Sequence, residues 1–241
     1  MRRRNPVALA AYEKLAERYA ALIDTKPHNA YYERPATLSL LSGVRGKRVL
    51  DAGCGPGAYI EILLKRGAKV VGIDISPKML RLARERVGDR AEFHLTDMSK
   101  PMRFLKSGVF DVVISPLAIP YIRDLTSLFK EFYRLLKKPG ILVFSDGHPF
   151  GDYLFFKKRR KAKNYFDTEL VGCIWHGFGI RVFIPGYRRP LNALLNPLIE
   201  AGFRIDRIVE PLPTKEFKRA DPEAYKRLRR MPAFICVRAV K

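Results

Sequence analysis

The sequence predicts a doubly wound α/β fold, and three observations carry that reading. Short, continuous apolar runs recur at residues 47–51, 69–74, 91–96, 110–115 and 141–145. Strands of this kind belong to a parallel sheet covered on both faces. Helical patterns separate most of these runs, and strands alternating with helices build such sheets. The first run ends in Gly53-Cys54-Gly55-Pro56-Gly57, a strand-to-helix turn of the sort at which open α/β sheets meet their ligands.

The elements follow in order. Residues 7–23 are rich in Ala and Leu and place Val7, Leu9, Tyr12, Leu15, Tyr19 and Leu22 at near-helical spacing, which predicts a helix ended by Pro27 and His28-Asn29. Pro35 opens a second short helix reaching Leu41. After the first strand, helices are expected over 58–66, stopped by Gly67, and over 77–87, stopped by Gly88, with another over 125–136 before the fifth strand. Residues 150–190 break the rhythm: they hold ten aromatics in 41 positions and the basic run 157–163. Residues 168–175 and 181–184 look like strands flanking His176-Gly177-Phe178-Gly179, so the segment is expected to be an insertion containing a hairpin. A helix over 191–201 and two strands, 205–209 and 233–240, around a charged helix near 221–230 complete the chain.

Composition narrows the class. With 241 residues and 47% hydrophobic content, the chain is globular and can form one domain with a full core. No apolar run approaches the ~20 residues that span a bilayer, and Met1-Arg2-Arg3-Arg4 is not followed by a signal-peptide apolar block. A cytoplasmic protein is expected. Cys54, Cys173 and Cys236 are scattered and odd in number, which argues against a disulfide framework or a metal site. The net charge of +22 favours acidic partners, yet the absence of glutamine gives the composition a thermophile-like cast in which charge is mainly surface decoration.

Residues 49–57 carry the chemistry. The glycines let the backbone approach a ligand closely. Asp74 ends the second strand, placed to accept hydrogen bonds from two ribose hydroxyls, and Asp97 ends the third, within reach of an adenine amino group. Gly53-x-Gly55-x-x-Ala58 also satisfies the dinucleotide pattern, and Asp74 would serve that ribose equally well. Three features weigh toward S-adenosylmethionine (SAM): Asp51 two positions before the first glycine, Asp97-Met98 at the third strand, and two terminal strands after the fifth helix. A carboxylate beside the turn suits a cationic methionine group and repels a pyrophosphate.

The stretches VLDAGCGPG, VVGIDISPKMLRLARER, FHLTDM, FDVVISPLAIPYI and EFYRLLKKPGILVFSDGHP resemble the class I SAM-dependent methyltransferases. The resemblance is to the small-molecule, ubiquinone/menaquinone-pathway kind of the methyltransferase type 11 group. It implies a Rossmann-like, seven-stranded, mostly parallel sheet whose last strand inserts antiparallel. It also implies four segments: an N-terminal helical cap over the cofactor site (1–44), a SAM-binding core (45–149), an inserted substrate lid (150–190) and a completion of the sheet (191–241). By the same resemblance Asp51, Gly53, Gly55 and Gly57 form the cofactor loop, Asp74 is the ribose ligand, and Ile75 and Met79 flank the adenine. Asp97 and Met98 match the adenine site, Ser115 the loop after the fourth strand, and Tyr32 the segment covering the cofactor.

Methyl transfer from a sulfonium needs orientation more than a catalytic group, so an obvious base is not required. His148, after the fifth strand, and Tyr121, past the fourth-strand loop, are the candidate catalytic residues; His176 at the hairpin tip reads as a solvated turn residue. The [DNS]-P-P-[YF] motif of base-methylating enzymes is replaced by Ser115-Pro116-Leu117-Ala118, and no cysteine lies near that strand to attack cytosine. A small or lipid-like acceptor, methylated at O, N or C with S-adenosylhomocysteine as product, is therefore expected. An RNA or protein acceptor held by the basic surface is the alternative, and a non-catalytic SAM-binding protein a third.

Overall fold

The computed structural model describes residues 6–241 and shows a seven-stranded sheet with helices on both faces. The strands are β1 (Arg48–Ala52), β2 (Lys69–Asp74), β3 (Ala91–Leu95), β4 (Phe110–Pro116), β5 (Leu136–Gly147), β8 (Arg204–Val209) and β9 (Phe234–Val240). Their order is β3-β2-β1-β4-β5-β9-β8, with β9 antiparallel to both of its neighbours. The remaining two strands, β6 (Glu169–Trp175) and β7 (Val182–Arg188), pair only with each other as an antiparallel hairpin.

Side chains alternate across a strand, so a sheet buried on both faces needs apolar residues at consecutive positions. Leu50, Val71, Val113, Leu142 and Phe144 enter one core with Phe129 and Phe132 of α5 (Leu125–Leu135) and Leu194 and Leu198 of α7 (Leu191–Glu200). Their neighbours Val49, Val70, Val112 and Val143 enter the other. There they meet Leu40 beyond α2 (Arg34–Ser39), Ile60 and Leu63 of α3 (Ala58–Lys65), and Leu80 of α4 (Pro77–Val87).

The helix caps follow local chemistry. Ser76 Oγ accepts the Met79 N–H to start α4, and Asp124 Oδ1 accepts the Ser127 N–H to start α5. A wide π-type turn, Asn29–Glu33, runs directly into α2, whose first turn holds Pro35 as expected. Proline cannot donate to the carbonyl four residues back; that carbonyl, on Tyr31, accepts the Thr214 N–H at 3.1 Å instead.

The insertion departs from the sequence reading in one respect. It begins with a helix, α6 (Pro149–Lys158), before the hairpin. Pro149 occupies its first turn and His148 Nδ1 accepts the Gly151 N–H. The aromatics here face several directions, so no helical periodicity announces the element. The charged C-terminal stretch is likewise two short helices, α8 (Lys215–Ala220) and α9 (Pro222–Leu228), with Asp221 capping the second between them.

Helix α1 (Leu9–Leu22) lies along the carboxyl ends of the strands. Ala11 and Leu15 pack on Val182 and Ile184 of the hairpin and on Phe178 of its turn. Glu13 accepts from Ser76 Oγ, and Glu17 pairs with Arg81 on α4. The helix therefore bridges the core domain and the insertion.

Arg188 fixes the base of the hairpin. Its fully buried guanidinium pairs with Glu169 at 2.7 Å and donates to the carbonyls of Asn164, Tyr165 and Asp167. Arg188→Ala removes the partner of Glu169 and of the three carbonyls, and about 3 kcal/mol of local stability should be lost. Limited proteolysis should then cut within 159–168 at least tenfold faster; an unchanged cleavage rate would contradict this account.

Candidate cofactor and acceptor site

The turn after β1 is tied to β2: the N–H groups of Gly53 and Cys54 both donate to the Ile73 carbonyl, at 2.8 and 3.0 Å. Gly53 has φ +84, and a Cβ there would collide with the Ala118 side chain. At Gly55, φ is +53 and a Cβ would meet nothing within 4 Å, because the residue borders open space. Gly57 lies away from that space, at the α3 N-terminus against the Ala83 backbone.

Asp74 stands beside the turn. Its Oδ2 accepts the Gly55 N–H at 2.8 Å and its Oδ1 the Ser76 N–H at 2.9 Å. Burial raises this carboxyl above the usual range, and the two backbone donors draw it back. Two backbone bonds use half of the carboxylate's roughly four acceptor positions, so the group can still accept from ligand hydroxyls.

Asp51 presents the opposite situation. It is 1% exposed, and neither carboxylate oxygen has a hydrogen-bond partner among the described residues. Burial drives its acid well above the ordinary value, and the negative charges of Asp74 and Glu33 add to the shift. An unanswered buried carboxyl is costly, and a ligand bearing a positive group beside the turn would relieve it. A pyrophosphate would make the repulsion worse. The residues present therefore fit SAM and disfavour a dinucleotide.

Gly53, Gly55 and Asp74 open onto a cavity of about 1030 Å³, and Asp51 lies buried behind that lining. One wall is Gly53, Gly55, Asp74, Ile75, Met79, Asp97 and Met98; the other includes Pro116, Leu117, Ala118 and Tyr121. Tyr12 and Tyr19 of α1 roof it, and Leu170 and Tyr187 of the hairpin reach its rim. The hydroxyls of Tyr12 and Tyr121 lie 2.6 Å apart with their rings edge to face. Burial pushes both phenols above their usual acidity range, so both keep their protons at neutral pH. Asp97 is held by its own turn: Oδ1 accepts from the Ser99 N–H and Oγ, and Oδ2 faces Lys100 Nζ at 3.2 Å.

Besides Gly57, three expected site residues are placed away from the cavity. Tyr32 does not cover the cavity; it is sealed among Phe217, Phe234 and α9, and its hydroxyl accepts the Ala233 N–H. The segment roofing the cavity is α1, because its Tyr12 and Tyr19, seven residues apart, share the face turned to it. Ser115 is fully buried and donates to the Ala52 carbonyl at 2.9 Å, stitching β4 to β1, while the following three residues line the cavity. His148 is not part of the lining either: Nδ1 caps α6 and Nε2 bonds Glu210 at 2.7 Å, so both ring nitrogens are engaged structurally. Tyr121 alone of the two catalytic candidates is in the cavity. Sequence reasoning missed Tyr12, Tyr19 and Tyr187; the i,i+7 tyrosine pair was the available signal for the first two. Trp175 stacks on Phe178 inside the insertion, His176 is exposed at the hairpin turn, and Cys54 packs beside Gly55.

Leu117 has φ +52, rare for a branched residue. Its N–H donates to both the Ser145 carbonyl and Ser145 Oγ, and Ser145 Oγ in turn donates to Glu33 at 2.6 Å. The buried Glu33 also accepts from Thr37 and Tyr59. This network fixes the loop facing Asp74 across the cavity.

Residues 50–144 match the model of the methyltransferase domain family. The chain is 31% identical over 157 residues to a ubiquinone biosynthesis O-methyltransferase of Aromatoleum aromaticum, covering 63% of this chain and 67% of that one. It is 34% identical over 138 residues to a malonyl-[acyl-carrier protein] O-methyltransferase of Salmonella typhimurium, covering 56% of this chain but only 51% of that relative's length. The solved S-adenosylmethionine dependent methyltransferase of Mesorhizobium loti superposes with a TM-score of 0.70 at 28% identity, over 91% of this chain and all of that one. With the strand order, the glycine turn and the unanswered carboxylate already in place, these likenesses identify the chain as a member of the class I SAM-dependent methyltransferases.

Proposed function

We propose that the enzyme methylates a small or lipid-like acceptor held in the outer part of the cavity, under the insertion acting as a lid. The observation that carries this is continuity: one chamber runs from Gly55 and Asp74 to Tyr121, Leu170 and Tyr187. A donor at the first end and an acceptor at the second would share a space closed to bulk water by α1 and the hairpin. The walls at the second end are aromatic and aliphatic, which suits an apolar acceptor. Relatives that act on ubiquinone precursors and on malonyl-acyl carrier protein support the same substrate class.

Bound SAM supplies an activated methyl group on a sulfonium. In this reading Asp74 accepts from the ribose hydroxyls, Asp51 answers the cationic methionine end, and Ile75, Met79, Asp97 and Met98 enclose the adenine. Tyr12 and Tyr121 position the acceptor through their hydroxyl pair, and orientation supplies most of the acceleration. Within the N-terminal segment, α1 acts as the cap.

The direct test is to incubate the enzyme with labelled SAM and separate small-molecule, lipid and RNA fractions of a cell extract. Label is expected in the small-molecule or lipid fraction; label confined to RNA would overturn the proposal. Asp74→Ala should weaken SAM binding by about 1–3 kcal/mol in calorimetry, and Gly55→Val should abolish it by filling the ligand's space. Wild-type affinity in either variant would contradict the placement.

Asp51 also sets a pH dependence. Its unfolded acid ionises near pH ~4, while the folded one keeps its proton to higher pH. The native state then binds more protons than the unfolded state, so stability falls as pH rises through that window. A cationic ligand favours the ionised form and removes the penalty. The thermal stabilisation given by saturating SAM should therefore grow as pH rises above about 4, and Asp51→Asn should flatten that growth. A pH-independent shift in the wild type would contradict the pairing.

A further inference from the structure

The hairpin of the insertion carries an apolar face that stays exposed among the described residues. Val171, Cys173, Val182 and Ile184 point inward against α6 and α1. The register sets Leu170 opposite Tyr187 and Ile174 opposite Phe183 on the other face. Leu170, Ile174 and Phe183 are 57%, 44% and 52% exposed. Leu170 and Tyr187 also line the cavity, so the apolar face is continuous with the cavity rim.

A run of positive charge follows from α6, which packs on the inward face, and reaches the outer face through Lys161. Lys157, Lys158, Arg159, Arg160, Lys161 and Lys163 are all exposed, and none forms a salt bridge among the described residues. Lys161 joins the two features: its Nζ donates to the Gly172 carbonyl at 2.7 Å and stands 5.4 Å from the Phe183 ring centre.

We infer that this face docks on an anionic lipid bilayer, with the basic run on the headgroups and Leu170, Ile174 and Phe183 entering the interface. Exposed aliphatic and aromatic side chains flanked by unpaired cations are the combination that binds such surfaces. A second copy fits poorly, because it would bring two unpaired basic runs together. RNA would engage the cations but leave Leu170 and Ile174 in water. The inference rests on the lipid-like acceptor reading, since docking here puts the cavity rim at the surface from which such an acceptor would be drawn.

The full chain is sedimented with vesicles of phosphatidylcholine alone or mixed with phosphatidylglycerol, at about 0.1 M salt. Binding should be at least about tenfold stronger on the anionic vesicles. The double variant Ile174→Asp/Phe183→Asp should lose about tenfold of that binding, and so should replacement of Lys157, Lys158, Arg159 and Arg160 by Ser. Both should keep S-adenosylhomocysteine affinity, which shows that the fold and the cofactor site survive. The inference is overturned by equal binding to both vesicles, or by wild-type binding in either variant. It is equally overturned by a dimer in light scattering that Phe183→Asp dissociates, or by RNA binding without vesicle binding. Failure of the acceptor reading is separately visible: label reaching only water-soluble acceptors removes that reading whatever the vesicles show.

Discussion

A carboxyl group on β1, buried with no hydrogen-bond donor among the described residues, is the constraint around which the site is organised. Asp51, Asp74 and Glu33 interact electrostatically in the buried region behind the glycine turn. Glu33 is answered by the hydroxyls of Thr37, Tyr59 and Ser145, and Asp74 by two backbone N–H groups. Asp51 is answered by nothing among the described residues. A chain of net charge +22 thus keeps acidic groups behind its glycine turn, which a cationic ligand would hold ionised and a phosphate would not.

The polar groups around that pit also shape it. Glu33 holds Ser145, Ser145 holds the left-handed Leu117, and Leu117 with Ala118 forms the wall opposite Asp74. Backbone strain of this kind persists only where its surroundings over-determine it. Here a buried acid on the segment leading into α2 does so through one serine, linking the N-terminal region to the loop that faces Asp74 across the cavity.

The roof is assembled from two pieces distant in sequence. α1 is clamped to α4 through Glu13 and Glu17 and to the hairpin through Leu15 and Phe178. Its two tyrosines can therefore overlook the cavity while its opposite charges hold it in place. The hairpin contributes Leu170 and Tyr187 at the rim and presents its free apolar face outward from there.

The sequence by itself determined the sheet and the cofactor side of the site. β2 and α4 coincide with the runs 69–74 and 77–87, because β-branched runs, a Ser76-Pro77 start and a Gly88 stop are local signals that tertiary contacts here reinforce. Asp51, Gly53, Gly55 and Asp74 were legible for the same reason: each is fixed by its distance from a strand end. Tertiary structure alone decided which residues close the cavity. Tyr32, Ser115 and His148 occupy the expected stretches of chain, yet their hydrogen bonds serve Ala233, Ala52 and the α6 cap. Tyr12 and Tyr19 reach the cavity because α1 crosses the strand ends to meet α4 and the hairpin. Such a crossing depends on pairings between segments up to 170 residues apart (Leu15 with Val182 and Ile184), which no local periodicity encodes.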